Sequence, residues 1–212
     1  MNRATVARRM ALCCRQLAAG GLIAGRDGNL SVRIGKERAL VTPTNCIKSL
    51  ITARDMVEVD LTGRPRTRGS RKPTSELDLH LKILRHRPEV QAVVHAHPPT
   101  ATGFAVAGEA IPGNLLPELI FVVGPVPLVP FGMPGTPELG DRIVPYLSDR
   151  RNKALLLANH GAVTMGRTLD EAWICMESLE HAARIILAAR AVGEPKPLTA
   201  QAVQRLQRER DG

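Results

Sequence analysis

Aromatic residues are scarce in this chain of 212 residues: one Trp, one Tyr and three Phe. A core made without them must be built from Leu, Val, Ile and Ala. The scarcity also argues against single-stranded nucleic-acid binding, which stacks bases on aromatic platforms. No apolar run approaches the roughly 20 residues needed to span a bilayer. No uninterrupted apolar segment follows the basic start MNRATVARRM. The expectation is therefore no signal peptide, no membrane partner and a cytoplasmic location. None of the four cysteines, Cys13, Cys14, Cys46 and Cys175, forms a CxxC pair. A cysteine zinc site is thereby disfavoured, and small buried thiols are expected.

What is present is a chain long enough for one domain with a full core, 44% hydrophobic and carrying a formal charge of +9. The charge speaks of partners and not of fold. It suits an anionic substrate. The densest basic run, GRPRTRGSRK at 63–72, has no interleaved aromatics and no DNA-binding motif, and reads as a solvated loop. No nucleic-acid partner is expected.

Apolar spacing predicts a helix over 4–19, where Val6, Met10, Cys13 and Leu17 recur every three or four residues. Glycines break it at GGLIAGRDG. NLSVRI, ALVT and MVEVDL read as short strands. Ser75 is the expected N-cap of a helix that carries Leu77, Leu81 and Leu84 and stops at Pro88. VQAVVHAH reads as a strand, and LIFVV and VPLVP are two more short apolar runs. Thr136 is expected to cap a helix with Pro137 at its first position. KALLLANHGAVTM reads as strand, turn, strand. Thr168 and Glu171 form a capping box for the longest helix, which runs to Gly193, and a last helix starts near Thr199. Interspersed helices and strands predict an α/β chain with helices on both faces of a mixed sheet. No linker separates two domains, so residues 1–212 are expected to form one.

Two of the six histidines, His95 and His97, end the apolar strand AVVHAH. Residues two apart on a strand share a face, so both imidazoles can reach one metal. Alone that is a weak signal. His160, in LLLANHGAV, lies where another apolar strand meets a glycine. Three nitrogens with an open position is the composition of a catalytic zinc site. A carboxylate is available in Glu76, at the start of the second helix, although a helix-start acid also simply suits the macrodipole. His80, His86 and His181 lie within helical patterns and read as structural or surface residues.

Together these motifs resemble the class II aldolase/adducin family, nearest to its L-fuculose-1-phosphate aldolase group. The resemblance rests on DGNLSVR at 27–33, VTPTN at 41–45, PTSELDLH at 73–80, AVVHAHPPTAT at 92–102, PGTPELG at 134–140 and NHGAVTMG at 159–166. It implies a three-layer α/β/α domain with a mixed, mainly antiparallel central sheet. It implies one zinc or other divalent ion per subunit on His95, His97 and His160. Glu76 would be the acid/base residue and a further ligand when substrate is absent. The substrate phosphate would lie among Gly28, Asn29, Thr44, Asn45, Thr74 and Ser75, where turn amides and a helix start can hold an anion. The implied reaction cleaves a phosphorylated ketose to dihydroxyacetone phosphate and an aldehyde through a metal-stabilised enediolate. The implied assembly is a homotetramer with sites between subunits.

The sequence departs from the pattern in three places. Asn45 stands where many relatives have glycine, and asparagine tolerates positive φ. AIPGNLLPELIFVV contains no tyrosine, although the aldolase group carries one there that helps protonate the leaving group. No aspartate lies between Asp78 and Asp141, which argues against the related epimerases. A decarboxylase or dehydratase of a sugar-acid or thiosugar phosphate on the same metal is the alternative. A non-catalytic adducin-like interaction module is a third.

Overall fold

The computed structural model describes residues 2–66 and 71–211. The centre of the basic run, residues 67–70, lies outside them. The seven strands are β1 (Asn29–Gly35), β2 (Arg38–Val41), β3 (Val57–Asp60), β4 (Ala92–Ala96), β5 (Leu128–Val129), β6 (Ala154–Leu157) and β7 (Gly161–Gly166). They form one sheet in the order β3-β2-β1-β4-β7-β6-β5. Every pairing is antiparallel except β5 with β6. The mixed, mainly antiparallel sheet is as expected.

The helices are α1 (Arg3–Ala19), α2 (Leu77–His86), α3 (Pro99–Val106), α4 (Pro137–Ile143), α5 (Leu169–Val192) and α6 (Ala200–Asp211). Strand alternation sorts the side chains into two cores. Ala92, Val94 and Ala96 of β4 face a core shared with α1, α3 and α5. Val93 of β4, with Leu155, Leu157, Val163 and Met165, faces a second core under α2 and α4. Three layers result. Both cores are almost wholly aliphatic, as the scarcity of aromatics requires.

Three local expectations are corrected. Ser75 does not cap α2: the Glu76 amide donates to Thr74 Oγ1 at 3.3 Å, and Glu76 itself holds the N-cap position. Thr136 holds the N-cap position of α4 with Pro137 at its first turn, as expected, but its hydroxyl donates to the Met133 carbonyl and makes no cap bond. The capping box of α5 is only half formed. Thr168 Oγ1 accepts from the Glu171 amide, while the Glu171 carboxylate turns back to the Arg167 amide. Of the two short apolar runs, VPLVP supplies β5, whereas LIFVV folds as a π-helical turn, Leu119–Val123. Its buried residues, Leu119, Ile120 and Val123, have helical spacing, and a run of five is too short for periodicity to decide.

Candidate active site

β4 and β7 pair along their length, with His95 opposite Val163. His95 is fully buried and its Nδ1 donates to the Ala162 carbonyl at 2.9 Å. With the proton held there, Nε2 keeps its lone pair for a ligand. The strand ends at Ala96, one residue before His97. Its face-sharing therefore lapses, and His97 is placed by other contacts. Its amide donates to the Leu22 carbonyl at 3.0 Å, and its Nδ1 lies 3.5 Å from the Asp27 carboxylate. His97 Nε2 comes to 3.2 Å from His95 Nε2.

His160 arrives from the β6–β7 turn. Asn159 takes φ 55° there, a left-handed value that asparagine tolerates, and the His160 amide closes the turn onto Leu157. The next residue must be glycine. A Cβ on Gly161 would stand 2.6 Å from the Ala96 carbonyl oxygen and 2.6 Å from His97 Cδ2. The three rings meet edge to face, with centroids 4.7 to 5.1 Å apart. One nitrogen from each lies within 4.8 Å of the others.

Glu76 closes the fourth side from the start of α2. Its Oε2 lies 3.1 Å from His95 Nε2 and accepts from Asn29 Nδ2 at 2.8 Å. Its Oε1 lies 3.3 Å from His160 Nε2 and is buried without a hydrogen bond. Burial opposes charge on Glu76, yet His95, Asn29 and His160 outweigh it and hold the carboxyl well below the usual range. Burial also opposes charge on His95, but Glu76 overcomes it and pushes that imidazole up. Burial, reinforced by His95, depresses His97 and brings His160 down to about 4. Three imidazoles with convergent nitrogens, one carboxylate and an orphaned buried oxygen fit a divalent cation in both donor type and number.

The other residues expected at the site lie around this cluster. Gly28 has φ 69°, and a Cβ on it would meet Ile23 and the His95 carbonyl. Thr44 and Thr74 stand on two segments that run antiparallel. The Thr44 amide donates to Lys72, the Thr74 amide donates to Thr42, and Pro43 bridges Pro73. Asn45 takes φ 52°, so the turn keeps the conformation that glycine gives elsewhere. Ser75 is exposed, and the Asn29 amide is turned inward to Glu76. Reading by motif missed Lys48. Its buried ammonium donates to the carbonyls of Arg26 and Cys46 and ties the turn before β1 to the one after β2. It also missed Asp27 beside His97, and the buried pair Ser31 and His80 behind Asn29. His80 was read as one of a helix's ordinary residues, because nothing in the spacing shows which strand its ring will meet.

A cluster of three histidines and a carboxylate at strand ends, able to hold a cation, is the class of site that this fold presents. The family model described as Class II Aldolase and Adducin N-terminal domain matches residues 8–187. A 5-deoxy-D-ribulose 1-phosphate aldolase of Bacillus thuringiensis serovar kurstaki is 33% identical over 93% of this chain and 92% of its own. A 3-oxo-tetronate 4-phosphate decarboxylase of Pectobacterium atrosepticum is 36% identical over 78% of this chain and 76% of its own. Among solved structures, an L-fuculose 1-phosphate aldolase superposes with a TM-score of 0.89 at 29% identity, covering 98% of this chain and 97% of that one. The chain belongs to the class II aldolase and adducin family and stands with its enzymes, the lyases.

Proposed function

We propose that this protein is a zinc-dependent aldolase that cleaves a phosphorylated ketose to dihydroxyacetone phosphate and an aldehyde. The observation that carries the reading is the convergence of His95, His97, His160 and Glu76. The three histidines hold the cation, and a cation bound there supplies Lewis-acid polarisation of the substrate carbonyl. Glu76 moves the proton at the adjacent hydroxymethyl carbon. In the synthetic direction ionised Glu76 removes it, the electron pair left on carbon forms the new bond to the aldehyde carbon, and the aldehyde oxygen takes up a proton from solvent. In cleavage that hydroxyl gives its proton back to solvent, the C–C bond breaks, and the same carboxyl returns the proton to the hydroxymethyl carbon. The carboxylate is 8% exposed, which keeps water from competing for this transfer.

The phosphate is assigned to the turns that carry Gly28, Asn29, Thr44, Asn45, Thr74 and Ser75, with the Asn29 side chain itself given to Glu76 and His80. The exposed Ser75 hydroxyl is the open donor, and Lys48 keeps the two turns together. The whole chain would act as one domain, in the cytoplasm, within a homotetramer that completes the sites. Relatives named as aldolases of 1-phosphorylated deoxyketoses support the substrate class.

A second reading, a decarboxylase of a sugar-acid phosphate, is favoured by one specific observation. The only tyrosine, Tyr146, donates to the Leu128 carbonyl at the β5 edge and packs against the second core. The chain therefore has no phenol to spare for a departing aldehyde, and decarboxylation needs none. Untagged protein loaded with zinc should release dihydroxyacetone phosphate from at least one of a panel of ketose 1-phosphates. Carbon dioxide release from 3-oxo-tetronate 4-phosphate, with every ketose inert, would establish the second reading instead. Full activity with metal-free protein would refute both.

A further inference from the structure

His80 is the one wholly buried imidazole besides His95 among the described residues. It sits on α2 among Leu79, Leu81, Ile83 and Leu84, in a layer where an aliphatic side chain would pack at less cost. Both of its ring nitrogens are used. Nδ1 lies 2.8 Å from Ser31 Oγ, and Nε2 meets Asn29 Oδ1. Asn29 and Ser31 are two apart on β1 and so share the face that looks at α2. From Asn29 the chain of bonds continues to Glu76 Oε2. All four side chains are buried.

The direction of these bonds follows from their chemistry. An ionised carboxylate only accepts, so Asn29 must turn its NH2 toward Glu76. Its carbonyl oxygen then faces His80 and also only accepts. Nε2 must therefore carry the ring proton. Nδ1 is left as the acceptor for the Ser31 hydroxyl. Burial, and the neighbouring His95, push the His80 imidazole down to about 3, so it carries a single ring proton at neutral pH.

We propose that His80 is a positioning residue for Glu76: by fixing the orientation of the Asn29 amide, it tethers Oε2 and leaves Oε1 to the reacting carbon. Without the Nε2–H donor, the Asn29 carbonyl oxygen is left buried and unpaired. The amide is then held by the carboxylate alone and no longer anchors it from behind. The proposal rests on the reading of Glu76 as the proton-transfer residue, and the test separates the two.

The probe is dihydroxyacetone phosphate in D2O, with deuterium uptake at the hydroxymethyl carbon followed by NMR, so no aldehyde need be known. Wild type, His80→Phe, His80→Gln and Glu76→Gln are compared at equal measured zinc content. His80→Phe should lower the exchange kcat by about 20-fold and leave KM within about threefold, since proton transfer and not binding is affected. His80→Gln, whose amide nitrogen can reach Asn29, should recover most of the rate. Exchange by His80→Phe at the wild-type rate, with Glu76→Gln dead, would overturn the positioning role alone. Wild-type exchange by Glu76→Gln would overturn the reading of Glu76 itself. If the Phe variant does not fold, His80→Asn takes its place, because its shorter amide reaches Ser31 but not Asn29. Equal rates for the Asn and Gln variants would then sink the proposal. A readout independent of turnover is the imidazole 15N spectrum. It should show His80 as the Nε2–H tautomer with a slowly exchanging proton, and the Nδ1–H tautomer would overturn the relay.

Discussion

A methyl group on Gly161 has nowhere to go: the Ala96 carbonyl and the His97 ring each lie 2.6 Å from where it would stand. The first is backbone in the centre of the sheet and cannot retreat, so the ring must move. If the proposed metal site is right, Gly161→Ala should therefore weaken divalent-metal binding by about tenfold, the usual scale for disturbing the support of a metal ligand. A competition titration with a chelating dye measures this, and unchanged affinity would mean that His97 is not a ligand. Ser75 gives the opposite kind of test. Since Thr74 and not Ser75 accepts from the Glu76 amide, Ser75→Ala should leave the melting temperature unaltered. If Ser75 serves the phosphate, KM for a phosphorylated ketose rises by about tenfold, the loss of one charge-assisted hydrogen bond. KM for the unphosphorylated analogue should stay as it is. At this scale the sequence was informative about which side chains could serve as ligands, because histidine and glutamate keep their chemistry wherever the chain takes them. It was silent on partners. Nothing in PTSELDLH says that the ring of His80 meets β1.

Helix α3 leaves the histidine cluster directly after His97, with Pro98 at its N-cap position and Pro99 at its first turn, and neither can cap it. The missing cap comes from α5. The buried Glu180 carboxylate accepts from the amides of Thr100 and Ala101 at 3.0 and 2.9 Å, and Arg184 donates to its other oxygen. Glu180→Ala should cost about 2 kcal/mol, the loss of hydrogen bonds to a charged group that leaves buried amides unpaired. Denaturant unfolding monitors it, and a change below about 0.5 kcal/mol would show that water replaces the carboxylate. The elements themselves were largely legible. α1, α2 and α5 follow from apolar spacing, and Gly193 ends α5 where the glycine stands. The failures share one cause. A cap is a bond between two neighbours that compete for the same amide, and Thr74 wins over Ser75 only because of how the chain enters the helix. LIFVV, named only as a short apolar run, carries no period, and it folds as a π-helical turn against α5 and α6.

At the scale of the whole molecule, burial controls the thiols. Cys13, Cys14 and Cys175 are buried, and burial pushes Cys14 and Cys175 up to about 12 and Cys13 higher still. Native protein at pH 8 should therefore react with a thiol reagent at Cys46 first, and at the other three only after denaturation. Rapid modification of all four in the native state would contradict the packing of α1 and α5. None of the helices in the described residues is long and apolar enough to cross a membrane, in line with the short apolar runs of the sequence. By itself the sequence determined the aliphatic cores, the mixed sheet with helices on both faces, and the identity of the groups able to bind metal. These depend on side-chain type and on spacing along the chain, which are local properties. Only the tertiary structure decided that His95, His97, His160 and Glu76 meet, that Asp27 lies beside His97, that Lys48 and Glu180 tie the neighbouring turns and helix start, and that Ser31, His80 and Asn29 form a directed path to the carboxylate. Those facts are distances between residues far apart in the chain, and they exist only once strand register and helix packing have set them.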